Sequence, residues 1–357
     1  MSRPTSLRAH KTYVLWLALV WLGMVQLVLL TNTLVDPLWH VRGNVLTHKN
    51  FAFNERQAKL NQLLRHPEQY NCLIFGSSRT TLLPPGGFLP YRCFNLAFSG
   101  GQIEEFIAYA TYLKARGMRP ALIVVGVDGF NFQATGRDPL SIPGYIARHQ
   151  APPGWLKDYL SADSLRMSWR TLRNDSPLPR YYDAQFSPVI QADAPRFQPQ
   201  ITLEGEGLRR ADAGARRIIQ YQPDNATLYK KLIALFPYAQ AIGYVPPISA
   251  WHVADMEKHG VLPGYLGALH TTAAHFPVFI DFSIPSRVTA RTDNTYDGSH
   301  YLPSVNHSIA RSLLTGVPQE WGIPPQTLRL DTYRLQYQIA LDQFQQSAAP
   351  TQNSRGK

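Results

Sequence analysis

Residues 12–30, TYVLWLALVWLGMVQLVLL, form an apolar run with one polar interruption at Gln26, and no other stretch restricts the fold so strongly. As a helix rising 1.5 Å per residue it reaches roughly 28 Å, about one bilayer hydrocarbon core. It is apolar all round and begins near the terminus, which argues against a buried helix of a soluble domain. Arg3, Arg8 and Lys11 precede it, and no acidic residue occurs before Asp36. By the positive-inside rule the N-terminus is cytoplasmic, the anchor crosses the inner (cytoplasmic) membrane once, and the rest is periplasmic. A cleaved signal peptide is the competing reading. The run is longer than the usual apolar region of about 7–15 residues, and Thr31-Asn32-Thr33-Leu34-Val35-Asp36-Pro37 offers no Ala-x-Ala site.

After the anchor, apolar runs of strand length alternate with helical patterns. Glu104 to Lys114 (EEFIAYATYLK) has amphipathic helical spacing and ends at Gly117 and Pro120; Ala121 to Val127 follows as a buried-type strand. Residues 131–222 lose this rhythm. It resumes with a helix at Asn225–Phe236, a strand at Ala239–Val245, a helix at Gly264–His275, a strand at Val278–Phe282 and a helix at Ser304–Leu314. β-α-β alternation implies a parallel sheet with right-handed crossovers. The expected organisation is a cytoplasmic tail 1–11, an anchor 12–30, a juxtamembrane stalk 31–65, one α/β domain 66–320 carrying the insertion 131–222, and a C-terminal extension and tail 321–357, frayed from about residue 340. The insertion reads as a lid or binding loop over the strand ends or as a spacer.

The formal charge is +11, from 35 Lys and Arg against 24 Asp and Glu, and the excess persists outside the anchor. An anionic polymer or membrane surface fits this balance; so does a basic surface that serves solubility. Nothing resembles a zinc spacing, an RNP-like run or a basic helix with interleaved aromatics, so nucleic acid is not an expected partner. The histidines show no metal-ligand spacing, and His252 and His259 read as surface residues. No cofactor is expected. The only cysteines, Cys72 and Cys93, fall on two predicted neighbouring strands, as a bridge or as two buried thiols.

Two distant pieces carry chemistry. Asn71-Cys72-Leu73-Ile74-Phe75-Gly76-Ser77-Ser78-Arg79 is a strand ending in a tight turn with serine at its tip, and Tyr296-Asp297-Gly298-Ser299-His300-Tyr301 is an Asp-x-x-His box before a helix. A serine hydroxyl becomes nucleophilic when a histidine takes its proton and a carboxylate orients that histidine. Between them lie Asn95-Leu96-Ala97-Phe98-Ser99-Gly100-Gly101 and Gly126-Val127-Asp128-Gly129. This order of blocks resembles the SGNH/GDSL hydrolase superfamily over about residues 68–315. The Gly-Ser-Ser form and the anchor resemble its membrane-tethered branches, namely the D-alanyl transfer protein of teichoic-acid modification and the exopolysaccharide O-acetylation proteins.

The resemblance implies a doubly wound parallel sheet of the flavodoxin-like, three-layer kind, preceded by one transmembrane helix. It implies Ser78 as nucleophile, His300 as base and Asp297 as its orienting partner, with Ser78 and Gly100 backbone N–H groups in the oxyanion hole. Asp128 stands near the place of the family's third donor, an asparagine that this chain lacks; an ionised carboxylate cannot donate. Arg79 reads either as a contact for an anionic substrate group or as the partner of a carboxylate. The cluster Arg209, Arg210, Arg216 and Arg217 reads as a glycan contact or a solvated face. Asp281 reads as a strand-end cap or a site residue. The implied function is a serine acyl esterase or O-acyltransferase on an envelope or secreted polysaccharide, fed by a membrane acyl-donor protein in the transferase case. The alternative is a non-catalytic module of the same fold that binds polysaccharide or scaffolds a secretion complex.

Overall fold

The computed structural model describes residues 5–133, 144, 146, 154–212, 221–318 and 321–348. They fall into two compact units, residues 1–65 with 147–186, and residues 66–146 with 187–357.

The first unit begins with the helix Thr5–Val35. Its segment His10–Val35, 26 residues, is long and apolar enough to cross a membrane. The apolar side chains along it, among them Trp16, Leu17, Trp21 and Leu27, are exposed. The helix ends where Asp36 adopts a φ of +50°. The buried Asp36 carboxylate then accepts the backbone N–H groups of His40, Val41, Arg42 and Gly43, together with the Tyr159 hydroxyl. One turn earlier, Asn32 donates to the Tyr159 carbonyl (2.8 Å) and accepts from Ser168 Oγ (2.6 Å). These bonds join the base of the apolar helix to the helices Gly154–Tyr159 and Ala162–Leu172. Residues 154–186 of the expected insertion therefore pack with residues 5–65, because the polar groups at the helix base find their partners there. The same unit buries the ion pair Arg180–Glu55 (2.9 Å). Lys59 lies above the Tyr182 ring, 4.8 Å from its centroid.

The second unit is built on five parallel strands, β1 (Cys72–Phe75), β2 (Cys93–Asn95), β3 (Leu122–Gly126), β4 (Gln240–Val245) and β5 (Val278–Asp281), in spatial order β2-β1-β3-β4-β5. Both faces of the sheet are covered, which is why these strands read as continuous apolar runs. Cys72, Ile74, Val124, Ile242, Tyr244 and Ile280 face Ile309, Ala310 and Leu313 of the helix Pro303–Thr315. On the other face the Phe75 ring lies 6.2 Å from that of Phe106, on the helix Ile103–Ala115. The register sets Cys72 opposite Cys93, and the two form a disulfide.

The C-terminal expectation needs correction. The chain does not fray at 340: a helix runs over Leu330–Ala348 and buries Tyr333, Tyr337, Leu341 and Phe344. The spacing i, i+4, i+8, i+11 places these four on one face. Phe344 packs edge-on against Trp251 at 4.9 Å between centroids.

Candidate active site

The turn after β1 is shaped by one side chain. Thr80 is fully buried between two strand ends, where a Cβ on Gly76 would lie 2.3 Å from its Oγ1 and a Cβ on Gly126 only 2.0 Å from it. Only glycine leaves room for Thr80 at both positions. Tyr244 on β4 donates its hydroxyl to Thr80 Oγ1 at 3.1 Å. Asn95, at the end of β2, donates through Nδ2 to the carbonyls of Thr80 (2.8 Å) and Leu83 (2.9 Å) and accepts from the Ala97 N–H (3.0 Å). Thr80 and Thr81 donate their N–H groups to the Ser77 carbonyl, and Thr81 Oγ1 donates to the Ser78 carbonyl at 2.5 Å. Four strand ends thus hold the short loop on which Ser78 stands half-buried.

The second piece is a tight hairpin. Thr295 bridges Tyr301 in antiparallel fashion, and its hydroxyl donates to the His300 carbonyl and accepts from the Gly298 N–H. Asp297 Oδ1 accepts the N–H groups of Ser299 (2.9 Å) and His300 (2.8 Å), while Oδ2 lies 2.7 Å from His300 Nδ1. A carboxylate only accepts, so Nδ1 carries the proton and Nε2 of the neutral ring holds the lone pair. Nε2 is buried and makes no hydrogen bond among the described residues. The ring stacks on Tyr296 at 5.1 Å and 6°. Burial opposes ionisation of Asp297, yet the hydrogen bond and charge of His300 and the two backbone N–H groups hold its carboxyl below the usual range.

The hairpin lies at the C-terminal edge of the sheet. The Ser249 N–H, four residues past the end of β4, donates to the Gly298 carbonyl at 2.7 Å. Ser78 follows the C-terminal end of β1 in the same parallel sheet. Burial pushes the Tyr301 hydroxyl pKa up; the Asp297 charge adds to this and the Arg79 charge opposes it. Ser78 Oγ and His300 Nε2 do not hydrogen-bond to each other.

The remaining predicted residues take varied parts. Arg79 Nε lies 2.9 Å from Oδ1 of the fully buried Asp128 as an ion pair, without the alignment of a hydrogen bond. Asp128 is thus the counter-ion of Arg79, which is an acceptor's role and not a donor's. Gly100 is exposed at a φ of +62°, and its neighbour Gly101 has a position for Cβ only 2.9 Å from the Gly76 carbonyl. Asp281 is buried under the C-terminal helix, where its carboxylate accepts from Tyr333, Tyr337 and Ser283. Burial raises its pKa against these hydrogen bonds. Arg216 and Arg217 lie outside the described residues. Among the described residues no group of three or more His, Cys, Asp or Glu could hold a metal ion.

Sequence reasoning passed over Thr80, gave Asn95 no role beyond its place in a block, and read His252 as a surface residue. Thr80 and Asn95 had a signal, since glycines at the ends of two predicted strands ask what fills the space between them. His252 is half-buried: Nδ1 lies 2.7 Å from Ser249 Oγ, and its ring stacks on Phe197 at 6.0 Å. Gly298, at a φ of +84°, leaves room for the rings of both His252 and Phe197, each within 2.8 Å of where a Cβ would stand. Comparison with known proteins finds no family model and no curated protein that matches this chain.

Proposed function

We propose that this chain is a membrane-anchored, extracytoplasmic serine acyl esterase or O-acyltransferase of the SGNH/GDSL kind, acting on an envelope or secreted polysaccharide. The observation that carries it is the Asp297–His300 pair, oriented through Nδ1 with a buried, unengaged Nε2, at the sheet edge to which β1 delivers Ser78. Ser78 Oγ attacks the acyl carbon while its proton passes to His300 Nε2. Asp297 fixes the tautomer and stabilises the imidazolium. His300 then returns the proton to the departing oxygen, and water or a sugar hydroxyl resolves the acyl-enzyme. A Ser78 to His300 distance beyond hydrogen-bond reach is compatible with this, since such contacts tighten when substrate binds.

The strand order β2-β1-β3-β4-β5 with covered faces supports the flavodoxin-like, doubly wound arrangement. The apolar run 12–30, preceded by Arg3, Arg8 and Lys11, and the Cys72–Cys93 bridge support an extracytoplasmic location, where disulfides persist. The non-catalytic reading draws on the absent Ser78–His300 hydrogen bond. Fluorophosphonate labelling of the full chain separates the two. Wild type labels at Ser78 and hydrolyses p-nitrophenyl acetate, whereas Ser78→Ala does neither and His300→Ala matches it closely. A wild-type chain that never labels, or a Ser78→Ala chain that labels equally well, moves the assignment to the binding module.

A further inference from the structure

Acyl transfer places a negative charge on the carbonyl oxygen, and donors aimed at that oxygen account for much of the rate. Two donors, on Ser78 and on the residue that follows it, make no hydrogen bond among the described residues. The Ser78 N–H makes no hydrogen bond among the described residues, and neither does any guanidinium N–H of Arg79, whose Nε is only ion-paired to Asp128. Arg79 is 17% exposed, so its head is largely withdrawn from water. The Tyr301 hydroxyl, on a residue 2% exposed, is also unpartnered, as is His300 Nε2. Buried polar groups without partners are uncommon, and these lie on the residue after Ser78 and in the Asp297–His300 hairpin, the two pieces of the proposed site.

We propose that Arg79, positioned by Asp128, is an oxyanion donor: with the Ser78 N–H it binds the carbonyl oxygen of an O-acyl ester. This rests on the serine acyl-transfer reading above. When Ser78 Oγ bonds to the acyl carbon, the C=O π pair moves to oxygen and the serine proton to His300 Nε2. The guanidinium N–H groups and the Ser78 N–H hold that oxyanion. As it collapses, the C–O bond to the leaving oxygen breaks, and that oxygen takes the proton from Nε2. The Arg79–Asp128 pair is formally neutral. It offers oriented N–H dipoles, held in place by Asp128, to the charge that forms on the carbonyl oxygen during reaction.

The test uses the full chain with p-nitrophenyl acetate, a neutral ester. Arg79→Lys keeps a cation for Asp128 but lacks the planar fork. Arg79→Met/Asp128→Leu replaces the whole pair with apolar groups, so no buried carboxylate is left alone. Both variants are expected to keep the wild-type melting temperature and KM, to label at Ser78 slowly but to the same end-point, and to lose about 10²–10³-fold in kcat. Unchanged kcat in either folded variant overturns the proposal. So does a rise in KM alone, which would indicate ground-state binding, or a loss that tracks the melting temperature, which would indicate a structural pair. If wild type itself fails to label at Ser78, the acyl-transfer reading falls and this donor falls with it. If wild type labels and the variants keep their kcat, only the donor assignment fails.

Discussion

Thr80 makes a sharp double-mutant prediction. A methyl at Gly126 would lie 2.0 Å from Thr80 Oγ1, 3.1 Å from Cβ and 3.4 Å from Cγ2; at Gly76 the same distances are 2.3, 2.5 and 2.8 Å. Each Gly→Ala substitution forces Thr80 aside and costs about 1–3 kcal/mol in overpacking. Thr80→Ala alone leaves the buried Tyr244 hydroxyl without its acceptor, at about 1–3 kcal/mol. Truncation at Thr80 removes Oγ1 and Cγ2 but keeps Cβ. In Gly126→Ala/Thr80→Ala the new methyl enters the vacated space with its nearest neighbour at 3.1 Å, so the pair should cost little more than Thr80→Ala, a coupling of about 2 kcal/mol. In Gly76→Ala/Thr80→Ala a 2.5 Å collision with Cβ persists, and coupling should stay below about 1 kcal/mol. Urea unfolding of the full chain, read as midpoint at constant slope, measures both cycles. Equal rescue at the two glycines, or none at Gly126, would refute the wedge.

Three further outcomes follow from buried groups. Burial, which outweighs the favourable Glu55 charge, pushes Lys59 down to about 7. Between there and its ordinary 10.5 the unfolded chain binds the extra proton, so stability should climb with pH through that window by about 5 kcal/mol at most. Lys59→Met should flatten the profile and raise stability below pH 7; identical slopes for both chains in urea titrations would contradict this. Asp281→Ala strands the Tyr333 hydroxyl, while Tyr337 keeps Ser283 Oγ as its partner at 2.7 Å, so the cost is about 1–3 kcal/mol. Amide exchange in Leu330–Ala348 should then accelerate roughly 10–10²-fold, while unchanged protection would show that the carboxylate does not tether the helix. Cys72 and Cys93 close a loop of separation 21. Cys72→Ala/Cys93→Ala should therefore lose about 3 kcal/mol, and a change under 1 kcal/mol would speak against a formed bridge.

The strands and helices of the α/β unit were legible because burial on both faces writes continuous apolar runs, and amphipathic helices write their own period. The predicted helix at 104–114 and strand at 121–127 differ from Ile103–Ala115 and Leu122–Gly126 by one residue at each end. The Asp297–His300 contact was legible too, since three residues in a tight turn can bring carboxylate and imidazole together without help from the rest of the fold. The C-terminal helix was misjudged because its buried face is written largely in tyrosine, whose hydroxyls looked polar until Asp281, 52 and 56 residues away, supplied the acceptor.

What only the tertiary structure decided are the pairings between distant segments. The register of β1 on β2 brought Cys72 opposite Cys93. Residues 154–186 went to the base of the apolar helix, because Asn32, Asp36 and Glu55 needed partners that their own neighbourhood lacked. Arg79 found Asp128, 49 positions on, and Thr80 filled the gap between Gly76 and Gly126. Sequence alone determined which segments must be buried and which side chains could carry chemistry, since hydrophobic period and residue type are local properties. It could not determine which buried charge meets which, because that depends on strand order and register, and these are settled only when the whole sheet assembles.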